Sequence, residues 1–166
     1  MTEHAEQHLI DFSTSLKKLK VDPDPKHEAD VLLLTCMDFR FLLTITELMK
    51  GIKYDHVVLA GAALGAVQCE KPHWGKTFFD HLGLAVGLHN VQNVWVMEHR
   101  ECGAYGPKGF GLLPDKPDRE EERKVHMRQV KKLAIDIPDD LNFAAFLLEV
   151  PPSIQKMTFD QLIGDD

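Results

Sequence analysis

Four short apolar runs, separated by stretches with helical spacing, constrain this chain more than any other feature. Asp30-Val31-Leu32-Leu33-Leu34-Thr35 is apolar at consecutive positions, as in a strand covered on both faces. Tyr54 to Leu59, Asn93-Val94-Trp95-Val96-Met97 and Phe143 to Val150 read as further strands. Between them the spacing predicts helices over about Arg40 to Lys50, Thr77 to Leu88 and Asp118 to Ile135, the first stopped by Gly51. Strands alternating with helices imply an α/β fold, with a mainly parallel central sheet of about four strands flanked by helices. Ala60 to Lys76 is rich in Gly and Ala and reads as a loop with at most a short helical turn. Gly103 to Pro117 holds four glycines and three prolines and reads as a turn-rich loop.

Leu9, Phe12, Leu16 and Leu19 give residues 3–20 roughly helical spacing, and Val21-Asp22-Pro23-Asp24-Pro25 ends that helix. The expected organisation is one domain over 1–166, with a helical arm at 1–25 and a core at 30–150. A length of 166 residues can bury a full core without staples. With 44% apolar and 27% charged residues, the composition argues against a disordered or fibrous chain. The formal charge of -7 gives no reason to expect nucleic acid or an anionic membrane as partner. No apolar run reaches transmembrane length, and the acidic start Met1-Thr2-Glu3-His4-Ala5-Glu6 lacks a signal sequence's apolar segment. A cytoplasmic, reducing setting is therefore expected.

Three cysteines, Cys36, Cys69 and Cys102, fit metal or catalytic chemistry better than a disulfide frame in such a setting. Two of them lie in Cys36-Met37-Asp38-Phe39-Arg40 and His99-Arg100-Glu101-Cys102-Gly103, each just beyond an apolar strand. Parallel α/β folds bind ligands beyond the carboxyl ends of their strands, so residues 36 and 99 can meet in space. Two thiolates and an imidazole, from Cys36, Cys102 and His99, are a donor set that holds zinc with its fourth position open. Asp38 stands two residues from a ligand, and Arg40 can keep it ionised through a bidentate pair. Cobalt or iron could occupy such a site as well.

Cys36-x-Asp38-x-Arg40 followed by His99-x-x-Cys102-Gly103 resembles the β-class carbonic anhydrases, in order, separation and preceding strands, over about residues 30–150. The resemblance implies a Zn2+ cofactor held by Cys36, His99 and Cys102, and an orienting pair of Asp38 and Arg40. The implied reaction is reversible hydration of carbon dioxide to bicarbonate by a zinc-bound hydroxide. It also implies that Asp38 can swing onto the metal in a resting state. A homodimer or higher homo-oligomer is implied too, with the N-terminal arm reaching over the neighbour. Two departures bear on the substrate. Phe39 stands where the family typically has serine, and Leu59-Ala60-Gly61-Ala62-Ala63 stands where it commonly has an Arg-Asn-Ala-Gly run. An apolar pocket built from Phe39 with Phe78 or Phe79 would suit carbon disulfide or carbonyl sulfide, which relatives of this fold hydrolyse. A non-catalytic zinc-stabilised scaffold is a further alternative, and metal-free redox work by Cys36 and Cys102 a weaker one.

The remaining candidates have plainer readings. Cys69 has no partner motif and reads as structural or exposed. His73, His81 and His89 read as surface or partly buried histidines, any of which can serve as a proton shuttle. Tyr105 and the surrounding glycines shape either a pocket wall or a surface loop. The mixed charges from Asp118 to Lys124 read as a solvated helix face.

Overall fold

The computed structural model describes residues 26–150 and 154–157. The expected helix at 3–20 and the arm it would form lie outside the described residues. Strand β1 (Val31–Thr35) is second in a five-stranded sheet ordered β2-β1-β3-β4-β5. Its neighbours are β2 (Tyr54–Val58) and β3 (Asn93–His99), both parallel to it. Strand β4 (Asn142–Leu148) continues the parallel run beside β3, and β5 (Ile154–Met157) closes the edge antiparallel to β4. The fold class stands as expected, but the described sheet has five strands rather than about four. The fifth follows Pro151-Pro152, beyond the Phe143 to Val150 run that reads as the last strand.

The consecutive apolar residues of β1 follow from burial on both sides of the sheet, since successive side chains point to opposite faces. Leu32 and Leu34 enter a large cluster with Val94, Val96, Phe78 and Leu133. Val31 and Leu33 enter a second cluster with Phe41, Ile45, Met49 and Met97. That second face is covered by a 3-10 turn (Phe39–Phe41) running into helix α1 (Leu42–Leu48), and Gly51 at φ +83° turns the chain back.

The stretch expected to be a loop holds more helix than the sequence suggests. Helix α2 (Ala63–Val67) lies within it, and α3 (Pro72–His89) begins at the proline rather than at Thr77. Proline suits the first helical position, where its missing N–H would have no intrahelical partner. Helix α4 (Arg119–Asp136) starts where expected, because the Asp118 carboxylate accepts hydrogen bonds from the amides of Glu120 and Glu121. Its first turn is not simply a solvated face, since Glu122 is buried. Among the described residues no helix is long and apolar enough to cross a membrane.

Candidate metal centre

Strands β1 and β3 are adjacent and parallel, so both release their chains at the same edge of the sheet. Cys36 is the first residue past β1, and His99 is the last of β3. The chain then turns through Glu101, whose φ of +56° is in the left-handed region, and brings Cys102 back beneath the strand ends. The two sulfurs are 3.7 Å apart, and the donor atoms of Cys36, His99 and Cys102 all lie within 4.8 Å of one another. All three side chains are buried. Leu64, Tyr105, Leu113 and Val125 pack around the thiols, and the Phe41 ring lies 4.5 Å from that of His99.

The donor chemistry fits a thiophilic cation. His99 Nδ1–H donates to the Arg100 carbonyl at 2.8 Å, which leaves Nε2 as the free donor. That Nε2 is buried without a hydrogen-bond partner, a condition native structures rarely leave unexplained. The two thiols form a coupled pair. Hydrogen bonding with Cys102 and the Gly61 amide, with the charge of nearby His99, brings the Cys36 thiol down to about 4 against the opposing effect of burial. Cys102, bonded to that sulfur and itself buried, is pushed up. Burial disfavours a charged His99, but the Cys36 sulfur, the Arg100 carbonyl and the Asp38 carboxylate together outweigh that and raise its pKa. A divalent cation would replace the shared proton and take both sulfurs as thiolates.

The stretch from Leu59 to Ala63 supports this centre through its backbone. The Gly61 amide donates to Cys36 Sγ at 3.3 Å. Glycine is needed there, because φ is +79° and a Cβ would come within 3.1 Å of that of Ala104.

Asp38 and Arg40 stand at the mouth. Asp38 Oδ2 accepts from Arg40 Nη2 at 2.7 Å, and Oδ1 accepts from Arg40 Nε and from its backbone amide, each at 3.0 Å. Asp38 Oδ2 is also 3.8 Å from His99 Nε2. Arg40 Nη2 donates onward to the Glu101 carbonyl at 3.1 Å, which ties this pair to the turn carrying Cys102. The Arg40 guanidinium holds the Asp38 carboxyl below the usual carboxylate range.

All five expected site residues therefore converge. The expected aromatic pocket does not form from the residues named for it. Phe78 is fully buried in the main core and Phe79 packs against that core, because both lie on the inward side of α3. Phe39 is 80% exposed. Cys69 is exposed, as expected. His81 and His89 line a separate cavity of about 220 Å³ with Asp55, Leu84 and Leu88. Tyr105 is no loop ornament: it is fully buried and its hydroxyl donates to Glu98.

Two buried polar clusters escaped the sequence reading. Glu98 accepts from the Ala63 amide at 2.8 Å and the Tyr105 hydroxyl at 3.2 Å, and His126 Nδ1 lies 2.8 Å from it. Arg100 lies between Glu149 and Glu122. The available signal was a charged pair, Glu98 and Arg100, flanking His99 at the end of an apolar strand, where charge demands partners.

The sheet order and the site it carries can be set beside known proteins. No protein-family model matches the chain. It is 39% identical over 160 residues to an uncharacterized protein of Rickettsia bellii (strain RML369-C), covering 92% of this chain and 94% of that protein. The two belong to one family. A second uncharacterized protein, from Rickettsia conorii (strain ATCC VR-613 / Malish 7), is 36% identical over 104 residues, 57% of this chain and 56% of that one. Among solved structures, carbonic anhydrase from Streptococcus mutans superposes with a TM-score of 0.62 at 15% identity, covering 95% of this chain and 99% of that one. This is the β-carbonic anhydrase fold. The β-carbonic anhydrase isoform I of Trichomonas vaginalis gives 0.58 at 13% identity over 94% and 97% of the two chains. The apo form of a carbon disulfide hydrolase gives 0.51 at 14% identity over 100% and 97%. Within this fold, Cys36, His99 and Cys102 form a cluster consistent with a zinc-binding site.

Proposed function

We propose that the protein is a zinc enzyme that hydrates carbon dioxide reversibly to bicarbonate, with Cys36, His99 and Cys102 as ligands and Asp38 and Arg40 as the orienting pair. The observation that carries this reading is the buried, partnerless Nε2 of His99, grouped with two sulfurs and 3.8 Å from an Asp38 carboxylate oxygen. Zinc held by Cys36, His99 and Cys102 would supply Lewis acidity that brings the pKa of water toward neutral. The protein's own part is orientation. Arg40 binds both Asp38 oxygens, so the carboxylate stays ionised and accepts a hydrogen bond from the attacking water rather than donating one. Water adds through oxygen to the carbon of carbon dioxide, giving bicarbonate and one proton, which leaves for buffer.

The same reading makes the protein a homodimer or higher homo-oligomer of a reducing compartment such as the cytoplasm, acting on a small molecule. A carbon disulfide or carbonyl sulfide hydrolase is the second reading. Exposed Phe39 and Met37 beside Asp38, and the fold shared with a carbon disulfide hydrolase, favour it.

Stopped-flow hydration by protein of known zinc content, across pH of about 6.5–9, tests the proposal. Asp38→Ala is expected to lower turnover about 100-fold or more with zinc content unchanged. The pH profile of the unmodified protein should show no Asp38 titration. A depressed carboxyl pKa keeps the group ionised throughout this range, and its contribution is lost only as the pH falls through the folded value. Full zinc with turnover of carbon disulfide alone would move the assignment to the second reading. Full zinc with neither activity would leave the scaffold.

A further inference from the structure

We propose that Glu122 and Arg100 are positioning residues that set the turn from His99 to Cys102 in its metal-binding shape before any metal arrives. This inference rests on the reading of Cys36, His99 and Cys102 as ligands, but not on which substrate is consumed.

Neither residue touches the candidate centre through its side chain, yet both hold its backbone. Glu122, buried in the first turn of α4, accepts the Glu101 amide through Oε1 at 2.6 Å. Its Oε2 lies 3.3 Å from Arg100 Nη1. Arg100 Nε and Nη2 reach Glu149 Oε1 at 3.2 and 3.1 Å, and its Nη1 also donates to the Arg119 carbonyl. Arg119 in turn pairs with Glu149. The Arg100 amide donates to the Leu148 carbonyl at the end of β4, at 2.9 Å. Arg100 is thus pinned by backbone and side chain together.

What these bonds fix is specific. The pinned Arg100 offers the carbonyl that takes His99 Nδ1–H, so it selects the tautomer that leaves Nε2 to the metal. The Glu101 amide is held by Glu122, and the Glu101 carbonyl receives Arg40. Glu101 is a left-handed non-glycine residue, a conformation that persists only where its surroundings over-determine it. One carboxylate on α4 therefore restrains the turn that carries Cys102 and anchors the partner of Asp38. Two arginines and two glutamates share the cluster, so no buried charge is left without an opposite.

The test compares the unmodified protein with Glu122→Ala and Glu122→Gln. It reads zinc affinity by chelator competition, the visible spectrum of the cobalt-substituted site, and hydrogen exchange at the Glu101 amide. Glu122→Ala is expected to weaken zinc about 10–100-fold and to alter the cobalt bands while the far-ultraviolet spectrum holds. Glu122→Gln keeps an oxygen for the Glu101 amide and should return zinc affinity to within about threefold of the unmodified protein. Unchanged affinity and bands in Glu122→Ala, or a folded Glu122→Gln no better than Glu122→Ala, overturns the proposal. In the unmodified protein the Glu101 amide should exchange slowly without metal, and rapid exchange there overturns it whether or not Glu122→Ala folds. Absence of carbon dioxide hydration would leave these results standing, whereas failure of the unmodified protein to bind zinc would remove the ligand reading itself.

Discussion

Cys102→Ser is expected to purify with less than about a tenth of a zinc ion per chain, against one for the unmodified protein. Serine is close to cysteine in size, but its hydroxyl does not ionise near neutral pH and is a poor match for zinc beside a thiolate and an imidazole. Cys102 also packs with Leu64, Leu113 and Val125, so the substitution puts a hydroxyl in apolar surroundings. Stability should fall with the metal, because a ligand present at a thousandfold excess over its dissociation constant stabilises the folded state by about 4 kcal/mol. Elemental analysis after dialysis, paired with thermal unfolding at fixed zinc, checks both parts. One tightly held zinc per chain in Cys102→Ser would show that the cluster is not the ligand set.

The second large effect lies beneath the centre. Glu98→Ala is expected to lower unfolding free energy by about 3 kcal/mol or more, because it strands three buried polar groups at about 1–3 kcal/mol each. The carboxylate receives the Ala63 amide and the Tyr105 hydroxyl, with His126 Nδ1 at 2.8 Å, and all of these groups are shut off from water. His126 Nε2 already lacks a hydrogen-bond partner, with Glu122 Oε1 no closer than 3.9 Å, so little around the ring can compensate. Glu98→Gln retains an oxygen for the Ala63 amide and should recover part of the loss. Urea denaturation followed by circular dichroism measures the difference. A loss under about 1 kcal/mol in Glu98→Ala would mean that water replaces the carboxylate at little cost.

What the sequence disclosed tracks how local each signal is. Strands β1 and β3 were plain because burial on both faces writes consecutive apolar residues. The five converging residues were plain because strand ends in a parallel sheet share one edge. Helix α2 was obscured, since five residues without a polar side chain and with a central glycine carry no amphipathic period. Pro72 falls in the stretch read as a loop, although it opens α3. The tie between Glu98 and His126 spans 28 positions and exists only because α4 packs over the strand end. Phe78 and Phe79 could be placed on a helix from sequence, but which way that helix faced had to come from packing.

The adjacency of β1 and β3 also fixes when the centre can form. Cys36 and Cys102 are 66 positions apart, so joining them closes a long loop whose entropy must be met before any donor set exists. Contacts of such separation are slow to form, because the closure cost precedes the reward. A cation taken by these donors would therefore meet a chain already paired at β1 and β3, and would lock that pairing rather than seed it.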